Sequence, residues 1–313
     1  MSDFDDKGGA AGAAGAAPGP QGGAGAAGAA GAPGAAADPA ASCDNVCSSC
    51  AESCSSRTEP MDFRAHTNAQ THIKRAIAVV SGKGGVGKSL VTSVIAATLH
   101  RQGYAVGILD ADVTGPSIPK AFGVSGRLRG NEFGILPAMS KGGIGLISTN
   151  LALDEETMPV IWRAPMITGI VKQFYTEVNW GNLDYLLIDM PPGTGDVPLT
   201  VYQSLNIDGV VVVTAPQDLV SMIVGKSINM AATMEIPVLG IVENMSYFEC
   251  PTCAERHELF GPSVVNAIAD EYGINLTAKL PISPEYTRLM DAGRAEELQI
   301  PALDEFVSKL AEG

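Results

Sequence analysis

Five continuous apolar runs, each ending in polar residues, recur along the chain from about Arg75 onward. They read RAIAVVS, AVGILD (Ala105 to Asp110), DYLLID (Asp184 to Asp189), GVVVVT (Gly209 to Thr214) and VLGIVE (Val238 to Glu243). Such runs are typical of strands that are buried on both faces of a parallel sheet. Helical patterns separate them, including SLVTSVIAATLHRQG, APMITGIVKQFYTEV and DLVSMIVGKSINMAATME. The alternation predicts a doubly wound α/β domain with a mostly parallel sheet and functional residues at the carboxyl ends of its strands.

The N-terminal part of the chain has a different composition. Residues 8–41 are all Ala or Gly apart from Pro18, Pro20, Gln21, Pro33, Asp38 and Pro39. Such a segment has little apolar side-chain surface with which to offset the entropy cost of ordering, so residues 1–42 are predicted to form a disordered tether. Residues 43–60 form a predicted metal-binding segment with four cysteines, and residues 61–313 form the α/β domain.

The charge of the chain limits its partners. The formal net charge is −14 and the isoelectric point is about 4.6. This argues against nucleic acid or an anionic membrane surface as the main partner, because both attract clusters of Lys and Arg. No apolar run approaches the length of a membrane span, and no signal peptide pattern begins the chain. We therefore expect a cytoplasmic protein, in which six cysteines indicate metal or redox chemistry rather than disulfides.

A glycine-rich loop lies between the first predicted strand and the first predicted helix. Its sequence GKGGVGKS has the spacing G-x-x-x-x-G-K-[ST] of loops that hold phosphate groups. Lys88 is expected to reach the β- and γ-phosphates of ATP, and Ser89 to bind Mg²⁺. The predicted nucleotide contacts in this loop are Gly82, Lys83, Gly84, Gly85, Val86, Gly87, Lys88 and Ser89.

Carboxylates follow two other predicted strands. Asp189, in LLIDMPPGTGD, is predicted to support the Mg²⁺ shell, and Gly193 lies in a loop suited to sensing the γ-phosphate. Asp110 and Asp112 follow another strand. Asp112 is the better candidate for orienting the attacking water, because it lies beyond the strand, although both could instead be solvated turn carboxylates.

Two sets of cysteines are candidate metal ligands. The ECPTC stretch supplies Cys250 and Cys253, which could serve redox chemistry, half a zinc site or one half of a [4Fe–4S] site completed by a second subunit. His257 completes C-x2-C-x3-H, so zinc within one chain is a further possibility. The N-terminal set suits a [4Fe–4S] cluster or zinc and consists of Cys43, Cys47, Cys50 and Cys54.

The phosphate loop contains a second lysine, Lys83, which phosphate binding does not require. The motif K-G-G-x-G-K-S resembles the deviant Walker A loop of the class that includes MinD, ParA and the nitrogenase iron protein. The resemblance implies a P-loop NTPase in which Lys83 crosses a dimer interface to the nucleotide of the other subunit. Lys83, Lys88 and Asp112 are then the predicted catalytic residues. From charge alone, a second cation beside a polyphosphate indicates only an anionic partner.

Within that class, the chain is most similar to the Mrp-type iron–sulfur cluster carrier ATPases. The similarity covers about Ala76 to Gly293 and is carried by DADVTGPSIP, DMPPGTGD, GIVENMSYFECPTC and ELFG. It implies ATP hydrolysis with Mg²⁺, recognition of adenine by Asn244, and a homodimer bridged by a [4Fe–4S] cluster at Cys250 and Cys253. It also implies apo iron–sulfur proteins as recipients.

The sequence departs from this family in two places. Ala254 follows the second cysteine where the family often has Gly, and the first gap between the N-terminal cysteines is shorter than in eukaryotic members.

Two other functions remain open. One is a positioning ATPase, although the chain ends in the acidic PALDEFVSKLAEG rather than a basic amphipathic helix. The other is a zinc-binding regulator that binds nucleotide without meaningful turnover.

Overall fold

The strands of the domain follow the apolar runs of the sequence. The computed structural model describes residues 64–113, 115–152, 164–216 and 220–312. Its strands are β1 (His72–Ser81), β2 (Val106–Asp110), β3 (Arg129–Asn131), β4 (Gly134–Leu136), β5 (Ala138–Met139), β6 (Gly145–Ile147), β7 (Asn182–Asp189), β8 (Gly209–Thr214), β9 (Val238–Glu249), β10 (Arg256–His257) and β11 (Thr277–Pro281).

Helices connect these strands. They are α1 (Lys88–Arg101), α2 (Ile118–Ala121), α3 (Ala164–Thr176), α4 (Asp196–Ser204), α5 (Val220–Thr233), α6 (Val265–Tyr272), α7 (Pro284–Asp291) and α8 (Pro301–Glu312). Short 3-10 turns cover Thr149–Leu151 and Ala295–Glu297.

The main sheet has nine strands, with the order β10-β9-β8-β1-β7-β2-β6-β5 and with β11 paired to β9. The pairs from β9 through β8, β1, β7 and β2 to β6 are all parallel, as is the β9–β11 pair. Only the short strands β5 and β10 pair antiparallel within this sheet. The predicted doubly wound, mostly parallel sheet is therefore confirmed.

Both faces of the sheet are buried against helices, which explains the unbroken apolar runs. Alternate residues of β1 enter different cores, with Ala78 and Val80 on one face and Ile77 and Val79 on the other. Buried residues of α3, α4, α5 and α6 belong to the first core. Those of α1, α2 and α8 belong to the second.

The five predicted strands correspond to β1, β2, β7, β8 and β9, whereas the other six strands were not predicted. The first helix is α1, and Gly103 follows its end with φ of 93°. β9 runs six residues beyond the predicted end at Glu243, because its last part pairs with β11 and β10 rather than lying between two buried neighbours.

Two predictions about the N-terminus lie outside the described residues, namely the tether of residues 1–42 and the cysteine segment of residues 43–60. The proposed domain boundaries accordingly stay predictions. None of the helices in the described ranges has both the length and the apolar character that crossing a membrane requires.

Candidate nucleotide site and cysteine loop

The glycine-rich loop connects β1 to α1 at the carboxyl edge of the sheet. Gly85 and Gly87 adopt left-handed backbone conformations with φ of 80° and 86°, which glycine reaches without steric cost. Gly87 directly precedes α1, so the free N–H groups of that helix begin at the loop. This is the arrangement that binds phosphate groups at a helix N-terminus.

Close contacts explain why glycine is needed in this loop. A Cβ atom on Gly87 would lie 2.2 Å from Nδ2 of Asn244, and one on Gly82 would lie 1.9 Å from Cγ2 of Ile223. The Asn244 side chain is 4% exposed and its Nδ2 donates to the carbonyl oxygen of Val86 at 3.0 Å. Asn244, in the middle of β9, therefore holds the loop in place through Val86.

The two predicted ligands of the Mg²⁺ shell are in direct contact. Asp189 Oδ2 accepts hydrogen bonds from Ser89 Oγ at 2.6 Å and from Lys88 Nζ at 2.7 Å. The side chains of Lys88 and Asp189 are only 6% and 0% exposed. Because a buried ion pair is weakly screened, this pair holds Lys88 firmly in the loop.

Sequence reasoning missed a further partner of Asp189. Thr92, on the first turn of α1, donates from Oγ1 to Asp189 Oδ1 at 2.6 Å, so both carboxylate oxygens are held. Thr92 is three residues after Ser89, and residues at this spacing share one face of a helix. The sequence spacing of Ser89 and Thr92 could therefore have predicted that both hydroxyl groups reach Asp189.

Two further carboxyl groups, those of Asp110 and Asp112, lie beside the Lys88–Asp189 pair. Asp110 is fully buried and pairs in register with Asp189 across β2 and β7. Burial, and next the charge of Asp189, hold the pKa of Asp110 well above its usual value, whereas Lys88 acts in the opposite direction. Asp112 Oδ2 lies 3.6 Å from Lys88 Nζ. The predicted water-orienting carboxylate is thus next to the predicted phosphate-binding lysine.

The fit of the site to a nucleotide phosphate can be tested on the side chains present. A cavity of about 210 Å³ is lined by Ser81, Lys88, Ser89, Asp112 and backbone of the glycine loop. Ser81 Oγ is buried and has no hydrogen-bond partner among the described residues, which is costly unless a ligand supplies one. The Lys88 ammonium group and the N–H groups of the glycine loop suit a polyphosphate. The oxygen atoms of Ser89 and Asp189 suit the Mg²⁺ that accompanies it.

Two other predicted nucleotide residues, Gly193 and Lys83, are not part of this lining. Gly193 has φ of 94° and donates its N–H to the carbonyl oxygen of Ser81 at 2.8 Å, which ties the loop after β7 to the end of β1. Lys83 is half-buried.

A larger cavity of about 840 Å³ lies at the β10–β11 edge, away from the glycine loop.

The second cysteine pair forms a tight turn after β9. The Cys250 N–H donates to Glu255 O at 2.9 Å and the Ala254 N–H donates to Cys250 O at 2.8 Å. Ala254 has φ of 58°, the left-handed conformation that glycine adopts more easily. The loop therefore keeps a glycine-like shape although the sequence has alanine there.

Both cysteines of this turn are free thiols, Cys250 half-buried and Cys253 exposed. The backbone N–H of Cys253 and then that of Thr252, followed by the Cys253 thiol, lower the pKa of Cys250. A lower pKa increases the thiolate fraction at neutral pH, and the thiolate is the form that binds metal.

The structure does not assemble the predicted zinc site within one chain. His257 lies in β10, opposite Phe248, and its Nε2 is 4.0 Å from Glu255 Oε2. Across the described ranges, no three His, Cys, Asp or Glu side chains come together in a way that could hold a metal ion. Within the described residues, this loop therefore presents two cysteine thiols as candidate metal ligands. The other cysteine candidates, Cys43, Cys47, Cys50 and Cys54, lie outside the described residues.

A parallel sheet with a glycine loop, a buried Lys–Asp pair and a serine at the helix start defines a P-loop NTPase. The family model described as ParA, the NUBPL iron-transfer P-loop NTPases, matches residues 72–312. The chain belongs to this family. The resemblance seen in the sequence is confirmed.

Curated relatives agree with this assignment. The iron-sulfur cluster carrier protein of Clostridium perfringens is 43% identical over 266 residues, which span 80% of this chain and 93% of the relative. The protein of the same name from Saccharolobus solfataricus is 44% identical over 232 residues, or 74% of this chain and 78% of the relative.

Solved structures show the same fold. A nucleotide-binding protein from Archaeoglobus fulgidus, solved in complex with ADP, matches with a TM-score of 0.68 at 45% identity over 75% of this chain and 92% of that chain. The cell division protein MinD of Aquifex aeolicus matches with a TM-score of 0.54 at 20% identity, covering 76% of this chain and 97% of that chain. The second likeness concerns the fold alone.

Proposed function

We propose that this protein binds and hydrolyses ATP and acts as a carrier that assembles a [4Fe–4S] cluster and passes it to apo iron–sulfur proteins. The observation that carries the proposal is the position of two sites on one strand. β9 contacts the phosphate loop through Asn244, and Cys250 directly follows its last residue, Glu249. The names of the curated relatives and the description of the family support the same function.

In the nucleotide site, Lys88 and the N–H groups of the glycine loop bind the β- and γ-phosphates. Ser89 and Asp189 hold Mg²⁺, which neutralises charge on the transferred phosphoryl group when bound. Asp112 orients the attacking water, Gly193 senses the γ-phosphate, and Asn244 recognises adenine. Lys83 acts across the dimer interface on the nucleotide of the second subunit.

In the cysteine loop, Cys250 and Cys253 bind the cargo. One chain supplies two thiolates from this loop and a [4Fe–4S] cluster takes four. We therefore propose that one cluster bridges the cysteine loops of two chains. Free thiols, one with a lowered pKa, suit a reducing compartment such as the cytoplasm. The N-terminal four-cysteine segment is proposed to bind a separate cluster or zinc.

Two other functions receive less support. A positioning ATPase shares only the fold, and α8 has Asp304, Glu305 and Glu312 against a single Lys309, which disfavours an anionic surface as its partner. A zinc regulator needs a third ligand beside Cys250 and Cys253, and His257 is not brought to them among the described residues.

The test is metal analysis of the anaerobically reconstituted full-length chain in which the four N-terminal cysteines are replaced by serine. We expect four iron and four sulfide per dimer, complete loss of both in Cys250→Ala, and little change in the control His257→Ala. ATP binding should persist in all three. A monomer with one zinc that is lost in His257→Ala would refute the bridged cluster, as would iron and sulfide retained in Cys250→Ala.

A further inference from the structure

Three buried side chains form a row across the carboxyl edge of the sheet. The parallel register pairs Asp110 of β2 with Asp189 of β7, and it pairs Leu109 with Ile147 at the end of β6. The residue after Ile147 is Ser148, which the continued register places beside Asp110. Asp110, Ser148 and Asp189 are each 0% exposed.

Ser148 is connected to the nucleotide site through Asp110. Its Oγ donates to Asp110 Oδ2 at 3.1 Å, and Asp110 Oδ1 accepts the backbone N–H of Asp112 at 3.2 Å. Both oxygens of the Asp110 carboxyl group are therefore used, one toward β6 and one toward the turn that holds Asp112. Ser148 and Asp110 are not in the lining of the proposed phosphate cavity, whereas Asp112 is.

One of these two hydrogen bonds holds the backbone of the turn that carries Asp112. Asp112 leaves the sheet at the end of β2, where the ladder to β7 no longer holds it. The bond from its N–H to Asp110 sets the backbone of this turn, and its carboxylate then lies 3.6 Å from Lys88 Nζ. Without Ser148, the Asp110 carboxyl group could rotate about its last side-chain torsion and release that N–H.

We propose that Ser148 is a positioning residue for ATP hydrolysis, acting through Asp110 to hold Asp112 where the attacking water is oriented. This inference rests on the proposed role of Asp112. Ser148 contacts no proposed phosphate or Mg²⁺ ligand directly, so it contributes to the rate of the chemical step and not to nucleotide affinity.

The first test is steady-state ATPase kinetics on the full-length chain. Ser148→Ala should lower kcat by about 10- to 100-fold, since a misplacement of about 1 Å can cost roughly 100-fold in rate. KM for ATP and affinity for ADP should stay within about twofold of the parent. Thr149→Val is the matched control, because Thr149 Oγ1 is buried without a hydrogen-bond partner in the described part of the chain. We expect its kcat to be unchanged. A Ser148→Ala protein with parental kcat, or with affinity and kcat reduced equally, overturns the inference.

The second test asks whether Ser148 acts through Asp112. If it does, Ser148→Ala should cost little in an Asp112→Asn background, so the double variant should be within about twofold of Asp112→Asn. Multiplied losses would refute the connection. Asp110→Ala removes the middle residue of the hydrogen-bonded series from Ser148 to Asp112 and should lower kcat with KM unchanged. Parental kcat in this variant would also refute the proposed role of Ser148.

The two tests separate this inference from the proposed function. Parental turnover in Asp112→Asn would remove Asp112 from the catalytic residues and the inference with it. Slow turnover in Asp112→Asn together with parental turnover in Ser148→Ala would remove only the role of Ser148.

Discussion

Nζ of Lys88 lies 2.7 Å from Oδ2 of Asp189 in an environment almost closed to solvent. The same lysine is the expected partner of the transferred phosphate. Asp189 and the phosphate therefore compete for one positive charge, and removing that charge leaves Asp189 buried and uncompensated.

Lys88→Ala should abolish productive ATP binding and should also lower the free energy of unfolding by roughly 3 kcal/mol, because a buried carboxylate loses its partner. Urea unfolding and ADP titration measure the two effects separately. Lys88→Met with Asp189→Asn should recover most of the stability without recovering nucleotide binding. Unaltered stability in Lys88→Ala would contradict the buried ion pair.

Lys83→Ala should spare ATP affinity but suppress turnover and ATP-dependent dimerisation, since Lys83 is proposed to act on the nucleotide of the other subunit. Isothermal titration and sedimentation velocity with and without ATP provide the measurements. A loss of affinity equal to that in Lys88→Ala would identify Lys83 as an ordinary contact within its own chain.

Thr92→Val should raise the Mg²⁺ concentration needed for half-maximal turnover by about tenfold, because partners that orient a metal-binding carboxylate typically matter by 10–100-fold. The measurement is ATPase rate against Mg²⁺ concentration at saturating ATP. Ser93→Ala is the control, because the Ser93 hydroxyl donates to the backbone oxygen of Ser89 and not, among the described residues, to Asp189. Equal Mg²⁺ dependence in Thr92→Val and Ser93→Ala would exclude this role of Thr92.

Asn244→Ala separates two possible roles of one side chain. If Asn244 recognises adenine, the variant should lose the preference for ATP over GTP. If its hydrogen bond to Val86 O matters only for the loop, affinity for both nucleotides should fall by the same factor. Competition titrations with ATP and GTP distinguish the two, and we expect loss of preference together with a smaller general loss.

Ala254→Gly should stabilise the cysteine loop, because Ala254 has φ of 58°. The left-handed conformation costs a residue with a Cβ atom about 1 kcal/mol. Gly273→Ala is the opposite control, since Gly273 ends α6 with φ of 66° and should lose a similar amount. Urea unfolding of the metal-free chain measures both, and a destabilised Ala254→Gly protein would show that the strain argument is wrong.

Cys250 should react with iodoacetamide at lower pH than an ordinary thiol. Its pKa is lowered in the folded chain, so its thiolate fraction at a given pH is larger folded than unfolded, and the midpoint of rate against pH should fall below about 8.5. Peptide mass spectrometry of the metal-free chain, with and without urea, follows this residue alone. Identical midpoints in the two conditions would disprove the shift.

The sequence was sufficient to predict the five central strands, because burial on both faces leaves a continuous apolar run for each. It did not predict β3 to β6, β10 or β11. These strands are short or lie at the edge of the sheet, where polar residues interrupt the pattern, as in the two-residue strand Arg256–His257.

The candidate site was predictable where one segment carries the motif. The loop from Gly82 to Ser89 is such a case, and the partnership of Thr92 with Asp189 was accessible from helix spacing. Ser148 was not, because its approach to Asp110 depends on β6 pairing with β2, and no local pattern specifies which strands become neighbours. The contact of Asn244 with Val86 likewise depends on the strand order.

The length of β9 separates the two sites by a defined distance. Five residues lie between Asn244 and Cys250, which is at most about 20 Å of extended chain. Pairing with β11 and β10 braces the later part of that path. In the proposed function, the phosphates and the cysteine sulfurs of one chain are therefore separated along β9. In the proposed carrier, we therefore expect ATP turnover to act on the cluster through movement of β9 and not through direct contact between the two sites.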